Sequence, residues 1–228
     1  MAVRLSRGLV ALLGAAFGLA ACTDMVISPT PMIAAQESGQ APKLKPGFWS
    51  YDACADPREQ GRWTCANGFV VSDETIDQSP PPPGGYGAVA GGDLKPPPFA
   101  YRIGVGDPLL VQVQLERAGG VEASRTFYTF VALDPVSRDA TGRIDRAEVW
   151  LVKCGPPTEP KPGDMGPRPT EHPFSGVVET DYGCRPTDRA GLLSAALASR
   201  TMAAKDASRA VYRWIREQPP EPAGGSTP

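Results

Sequence analysis

Five cysteines carry the most reactive side chains of this 228-residue chain, and their spacing limits the chemistry open to them. Cys54, Cys65, Cys154 and Cys184 form an even set, which in an exported protein predicts disulfide bonds. Four cysteines allow three pairings, and we favour Cys54–Cys65 with Cys154–Cys184 because each closes the shortest available loop. A metal or redox site is disfavoured, since no CxxC spacing occurs and the chain holds one histidine.

Other residue types that could support catalysis lack the spacing that catalysis needs. The sequence contains no GxSxG, HExxH, SxxK or phosphate-binding loop motif. Its one histidine, His172, lies in a proline-rich stretch and is predicted at the surface. Asp134, Asp139 and Asp145 share a loop but not the alternate spacing of a calcium loop. We therefore predict no catalytic residue, no metal site and no cofactor, and the net charge of −2 excludes a typical nucleic-acid partner.

The N-terminus has the organisation of an export signal. Arg4 and Arg7 give it a positive start, and residues 8–21 carry no charge. An apolar run of this length is too short for a bilayer-spanning helix, which needs about 20 residues. The pattern is that of a signal peptide rather than a resident anchor.

The signal ends in Leu19-Ala20-Ala21-Cys22, which resembles the lipobox of bacterial lipoproteins. The resemblance implies that Leu19, Ala20 and Ala21 are recognised by the signal peptidase and that residues 1–21 are removed. It implies that Cys22 carries a diacylglyceryl group and an acyl chain such as palmitate, which makes the lipid bilayer a partner. Thr23 rather than an aspartate follows Cys22, so the resemblance implies that the protein is located at the periplasmic face of the outer membrane. The inner membrane is the alternative location.

Three tryptophans, Trp49, Trp63 and Trp150, each precede a cysteine by a few residues. We predict that they pack in the core beside the disulfides; the alternative is an aromatic platform for a ligand. The block formed by residues 45–49, Cys54, residues 63–65 and residues 150–157 resembles small uncharacterised lipoproteins of alphaproteobacteria. That resemblance implies no activity.

The elements that would position these residues follow from composition. With 26 prolines and 25 glycines, much of the chain is expected to be loop. Residues 22–46 contain four prolines and few large apolar groups, which predicts a flexible lipidated tether. Residues 47–218 are predicted to form one β-rich globular domain with Pro/Gly-rich loops, and residues 219–228 a disordered tail.

Within that domain, apolar alternation predicts strands at residues 109–115, 126–133 and 147–153, with weaker candidates at 99–103 and 68–71. Thr187 or Asp188 is predicted to cap a helix that continues through Ala204. Residues 208–217 fit either a helix or a strand, and we favour a short strand that closes the sheet. The predicted fold class is α+β, mostly β: an antiparallel meander with a C-terminal helix and two disulfides.

These features predict a membrane-anchored periplasmic lipoprotein that is a non-enzymatic envelope interaction or accessory module. One alternative is a small envelope hydrolase that uses paired carboxylates, because such catalysis needs no histidine. The other is a lipoprotein that binds a small ligand in a pocket of the sheet.

Overall fold

A computed structural model describes residues 24–55, 68–78, 98–117, 125–156, 170, 172–180, 183–206 and 209–217. The strands are β1 (Ile27–Ser28), β2 (Gly47–Tyr51), β3 (Phe69–Val71), β4 (Thr75–Gln78), β5 (Phe99–Gly104), β6 (Leu109–Arg117), β7 (Arg125–Arg138), β8 (Ile144–Leu151), β9 (Val177–Thr180), β10 (Gly183–Pro186) and β11 (Ala210–Arg216). The helices are α1 (Ala35–Gln40) and α2 (Arg189–Asp206), and a 3₁₀ turn covers Asp52–Ala55. Among these helices, none combines the length and apolar character needed to cross a membrane.

Nine strands form one sheet in the order β1-β7-β6-β5-β4-β3-β2-β11-β8, and β8 also pairs with β7. Strands β2 to β8 follow one another in both sequence and space, so the predicted antiparallel meander is confirmed. The segment that fitted either a helix or a strand is β11, which lies between β2 and β8 and closes a ring of eight strands. The predicted fold class, mostly β with a C-terminal helix, is confirmed.

The chain divides into two compact units. Unit 1 comprises Met1–Ala41, Tyr101–Asp134 and Glu148–Ala210, and unit 2 comprises Pro42–Ala100, Pro135–Ala147 and Val211–Pro228. A buried apolar cluster lies in unit 1, where Leu110, Phe130, Trp150 and Leu192 are fully buried. Each such side chain contributes about 1.5–3 kcal/mol through removal of its surface from water, so this cluster stabilises unit 1.

The disulfide Cys154–Cys184 joins the residues that follow β8 to β10 in unit 1, with 5.6 Å between the Cα atoms. This predicted pairing is confirmed, and both cysteines are buried in the apolar cluster. Cys54 is buried as well, but its predicted partner Cys65 lies outside the described residues. One of the two predicted disulfides is therefore present in the described part of the chain.

Helix α2 begins as the sequence predicts. The Asp188 side chain accepts a hydrogen bond from the Gly191 backbone N–H at 2.7 Å, a cap that contributes about 1 kcal/mol. Gly191 also packs directly against the backbone of Gly176, where a Cβ atom would overlap. The buried face carries Leu192, Ala195, Ala196, Ser199 and Ala203. Leu197 of the same helix is 42% exposed.

The segment predicted to be a flexible tether differs most from expectation. From Asp24 to Pro46 it forms β1 and α1, and Val26 and Ile33 are fully buried. The physical reason lies in β6, where Gln112 is buried although the strand alternation placed it towards water. Its amide oxygen accepts hydrogen bonds from the backbone N–H groups of Met32 and Ile33, at 2.6 and 3.0 Å. The segment thus covers a second face of the strand and satisfies its buried amide.

Unit 2 contains β2, β3, β4, nearly all of β11 and the β7–β8 turn with the adjoining strand ends. Phe48, Trp49 and Val71 are almost fully buried, and Leu44 and Ile144 meet in an isolated bridge. Further along, the rings of Tyr51 and Tyr212 stack with centroids 5.0 Å apart. Burial raises the pKa of the Tyr212 hydroxyl far above its ordinary value of 10.0, so this ring stays neutral across the physiological range.

Candidate functional site

The predicted lipid-attachment residue Cys22 and the recognition residues Leu19, Ala20 and Ala21 lie outside the described residues. Their roles remain predictions. The glycine-rich and polyproline stretches between residues 79 and 97 also lie outside, as do Trp63 and residues 219–228.

Two tryptophans predicted as core residues are in the core, since Trp49 and Trp150 are 1% and 0% exposed. This burial excludes them as an open aromatic platform. His172 is exposed, as expected from its proline-rich surroundings. Asp134, Asp139 and Asp145 do not share one loop as predicted, because β7 extends to Arg138 and β8 begins at Ile144.

Unit 2 contains a groove of about 520 Å³, a volume within the range typical of small-ligand sites. We call it the Trp214 groove. It is lined by residues 45–47 and 70–72, Asp139, Arg143, Trp214 and Glu217. These residues come from the start of β2, the end of β3, the β7–β8 turn and the end of β11.

Two indole rings fix the backbone of residues 45 and 46, which line the groove. Trp214 Nε1 donates a hydrogen bond to the Pro46 carbonyl at 2.7 Å, and Trp49 Nε1 donates to the Lys45 carbonyl at 2.8 Å. Gly47 follows with φ of 127°, and a Cβ atom there would overlap Trp214 and the Arg216 backbone. The chain entering β2 is therefore fixed by tryptophans from two neighbouring strands, and only glycine fits at residue 47.

Lys45 supplies one of the two positive charges that line the groove. Its Nζ atom lies 3.8 Å from the centroid of the Trp214 ring and 3.8 Å from Asp139 Oδ2. An ammonium over an indole face is attracted by the ring quadrupole, and the nearby carboxylate adds a Coulomb attraction. The three side chains together present a cation, an anion and an aromatic face to one opening.

The carboxylate Asp139 is held as an anion by the turn that carries it. Its Oδ1 atom accepts hydrogen bonds from the hydroxyl and backbone N–H of Thr141, at 2.7 and 2.9 Å, and from the Arg143 N–H at 3.1 Å. The bond from the Thr141 hydroxyl is the largest cause of the lowered pKa of Asp139.

The cation at the other side of the groove, Arg143, also has an acidic partner. Its guanidinium donates to Asp73 Oδ1 at 2.8 Å, and this bond lowers the pKa of Asp73. General acid catalysis at neutral pH needs a carboxyl whose pKa is raised, so these lowered values favour binding over proton transfer.

Unit 1 holds a carboxylate of the opposite character. Asp134, with 17% of its side chain exposed, forms an ion pair with Arg200. Desolvation by burial raises the pKa of Asp134, outweighing the attraction of Arg200, and the negative charge of Asp107 raises it further. Its surroundings therefore favour the protonated form more than water does.

Metal binding has no support within the described residues, where no cluster of three His, Cys, Asp or Glu side chains could hold an ion. Sequence reasoning missed the Trp214 groove because its residues are separated by up to 172 positions along the chain. The available signal was local: Lys45 and Trp49 lie close together in the tryptophan- and cysteine-containing stretch of residues 45–65. No protein-family model, curated protein or solved structure matches this chain.

Proposed function

We propose that the protein is a membrane-anchored periplasmic lipoprotein, acylated at Cys22, that acts as a non-enzymatic interaction or accessory module of the envelope. The observation that carries the proposal is the lipobox Leu19-Ala20-Ala21-Cys22 at the end of a short cationic export signal. The Cys154–Cys184 disulfide supports it, because disulfides persist in oxidising compartments such as the periplasm. The periplasmic face of the outer membrane is the favoured site, and the inner membrane is the alternative.

The Trp214 groove supports an interaction role for the module. Its cations Lys45 and Arg143 lie beside Asp139 and Asp73, and both carboxylates have lowered pKa values. Such fixed, paired charges can exchange partners with a polar ligand without any proton transfer. The alternative of a hydrolase with paired carboxylates would need a raised pKa at the same groove.

A second candidate function is small-ligand binding, which the volume of this open groove favours. Trp214 lies in the groove wall, so an occupant would change its environment. A partner protein would instead extend beyond the groove and contact the exposed rim residue Glu217.

Lipidation is tested by Cys22→Ala. We expect the variant to accumulate as unprocessed precursor or to leave the membrane fraction, and to lose incorporation of labelled palmitate, because acyl chains supply the membrane affinity at about 0.8 kcal/mol per buried methylene. Thr23→Ala is the matched control and should fractionate and label like the unchanged protein. Normal labelling and fractionation of Cys22→Ala would contradict the proposal.

The interaction role is tested by photo-crosslinking in cells. p-Benzoylphenylalanine in place of Glu217, at the rim of the groove, should give a discrete protein adduct, and Lys45→Met should abolish it. The same amino acid in place of Glu116, an exposed residue of β6 in unit 1, is the control and should give no such adduct. If the protein binds a small ligand instead, no protein adduct should form. The fluorescence emission of Trp214 should then change when the small-molecule fraction of a periplasmic extract is added.

A further inference from the structure

We propose that unit 1 lies directly against the bilayer, with the surface around the Cys154–Cys184 disulfide facing the lipid headgroups. This inference rests on the proposed lipidation at Cys22. It gives the anchored protein an orientation and a second contact with the membrane, because this surface lies against the lipid bilayer. We call this surface the anchor-side surface and define it by Pro156, His172, Pro173 and Phe174.

The polypeptide is fixed to unit 1 from Asp24 onwards. The Asp24 carbonyl accepts a hydrogen bond from the Cys154 N–H at 2.7 Å, and its carboxylate lies 3.6 Å from Lys153 Nζ. The next two residues are attached in the same way. The Met25 carbonyl accepts a hydrogen bond from the Cys184 N–H at 3.2 Å, and the Val26 N–H donates one to the Val152 carbonyl at 3.1 Å. Val26 is fully buried, so this attachment is anchored by apolar packing as well.

Only two peptide steps separate Asp24 from Cys22. Consecutive Cα atoms are 3.8 Å apart, so Asp24 can lie at most about 8 Å from the Cα atom of the lipidated residue. A flexible tether over residues 22–46 would instead have given a mean reach of about 25–30 Å. Because the acyl chains hold Cys22 at the headgroup level, the neighbours of Asp24 are held there too.

The anchor-side surface is next to this attachment point. The Phe174 N–H donates to the Cys154 carbonyl at 2.7 Å, and Gly155 packs against the His172 backbone. Pro156, His172 and Pro173 are exposed, and Phe174 is half-buried against the apolar cluster. The two prolines and the exposed part of the Phe174 ring offer apolar surface to the boundary between headgroups and acyl chains.

The experiment uses the lipidated protein reconstituted in vesicles of phosphatidylethanolamine and phosphatidylglycerol, with p-benzoylphenylalanine in place of His172. Irradiation should give covalent lipid adducts, detected by mass. A variant with a 20-residue Gly/Ser spacer between Thr23 and Asp24 keeps the anchor but adds about 25 Å of reach, and its adduct yield should fall about fivefold or more. The same probe in place of Gln40, an exposed residue of α1, is the position control and should react weakly in both chains.

Three outcomes are informative. A high yield at His172 that falls with the spacer supports the inference. Equal yields with and without the spacer, or equal yields at His172 and Gln40, would overturn it while leaving lipidation intact. Absence of acyl groups on the purified chain, read from the intact mass before irradiation, would overturn the proposed lipidation and with it the orientation that depends on it.

Discussion

Two regions of the molecule use the same three groups, a tryptophan, a cation and a carboxylate, in opposite surroundings. In unit 1, Arg200 lies over the fully buried ring of Trp150 with its guanidinium carbon 5.6 Å from the centroid, and pairs with Asp134. In unit 2, Lys45 lies over the half-buried ring of Trp214 and pairs with Asp139.

The difference between the two carboxylates shows which effect dominates. A cation beside an aspartate normally lowers its pKa, yet the pKa of Asp134 is raised because desolvation by burial outweighs Arg200. Asp139 is stabilised as an anion by hydrogen bonds from its own turn, and its pKa is lowered. Surroundings, rather than the presence of a cation, therefore decide the sign. The unit 1 arrangement surrounds a fully buried indole ring, whereas the unit 2 arrangement lines the Trp214 groove.

The largest expected effect separates the two tryptophans. Trp150→Ala should lower the free energy of unfolding by about 3–5 kcal/mol, because it leaves a large cavity and removes the Nε1 hydrogen bond to Ala196. Trp214→Ala should cost about 1–2 kcal/mol, since it removes one hydrogen bond and one cation–π contact from a partly exposed ring. Urea unfolding followed by far-UV circular dichroism measures both.

Trp150→Phe is the control for this comparison, because it keeps most of the buried ring and loses the indole N–H. The free energy of unfolding of Trp150→Phe should lie between that of the unchanged protein and that of Trp150→Ala. Similar costs for the two alanine variants would show that the two regions do not differ as described.

The next effect concerns the disulfide, which lies in unit 1. The double variant Cys154→Ala/Cys184→Ala should lower the free energy of unfolding by about 3.5–4 kcal/mol, from the chain entropy released when a loop spanning 30 positions is no longer closed. Amide hydrogen exchange should accelerate in β9, β10 and the start of α2. Exchange in the β7–β8 turn, beside Asp139, should be unchanged; acceleration of equal size in both places would contradict the separation of the two regions.

The smallest effect is a difference of sign in the dependence of stability on pH. The pKa of Asp134 in the folded protein is above 3.8. Its contribution to the free energy of unfolding is therefore fully present below pH 3.8 and is lost as the pH rises through the folded pKa. Asp139 has a lowered pKa, so its contribution is present above 3.8 and is lost as the pH falls through the folded value.

Asp134→Asn and Asp139→Asn test this sign with matched amide variants. On acidification through 3.8, the unchanged protein should gain stability relative to Asp134→Asn and lose stability relative to Asp139→Asn. Urea unfolding at pH values on both sides of 3.8 measures the two differences. Two differences of the same sign would remove the contrast between the regions.

Much of the fold could be predicted because the signal was local. The alternation from Leu109 to Leu115 identified β6, the aspartate before an apolar 3.6-residue pattern identified the start of α2, and cysteine spacing identified Cys154–Cys184. The Trp214 groove could not be predicted, because its walls come from four separate stretches of chain. The N-terminal segment was predicted incorrectly because its prolines and polar residues resemble a linker, whereas long-range hydrogen bonds to Gln112 decide its structure.

The sequence by itself determined the elements whose energetics are local: the strand alternation, the helix cap and the cysteine spacing that pairs Cys154 with Cys184. Tertiary structure alone decided the packing of residues 24–41 within unit 1 and the opposite pKa shifts of Asp134 and Asp139. The physical reason is that burial and desolvation depend on which distant residues arrive beside a group, and neither can be read from its neighbours along the chain.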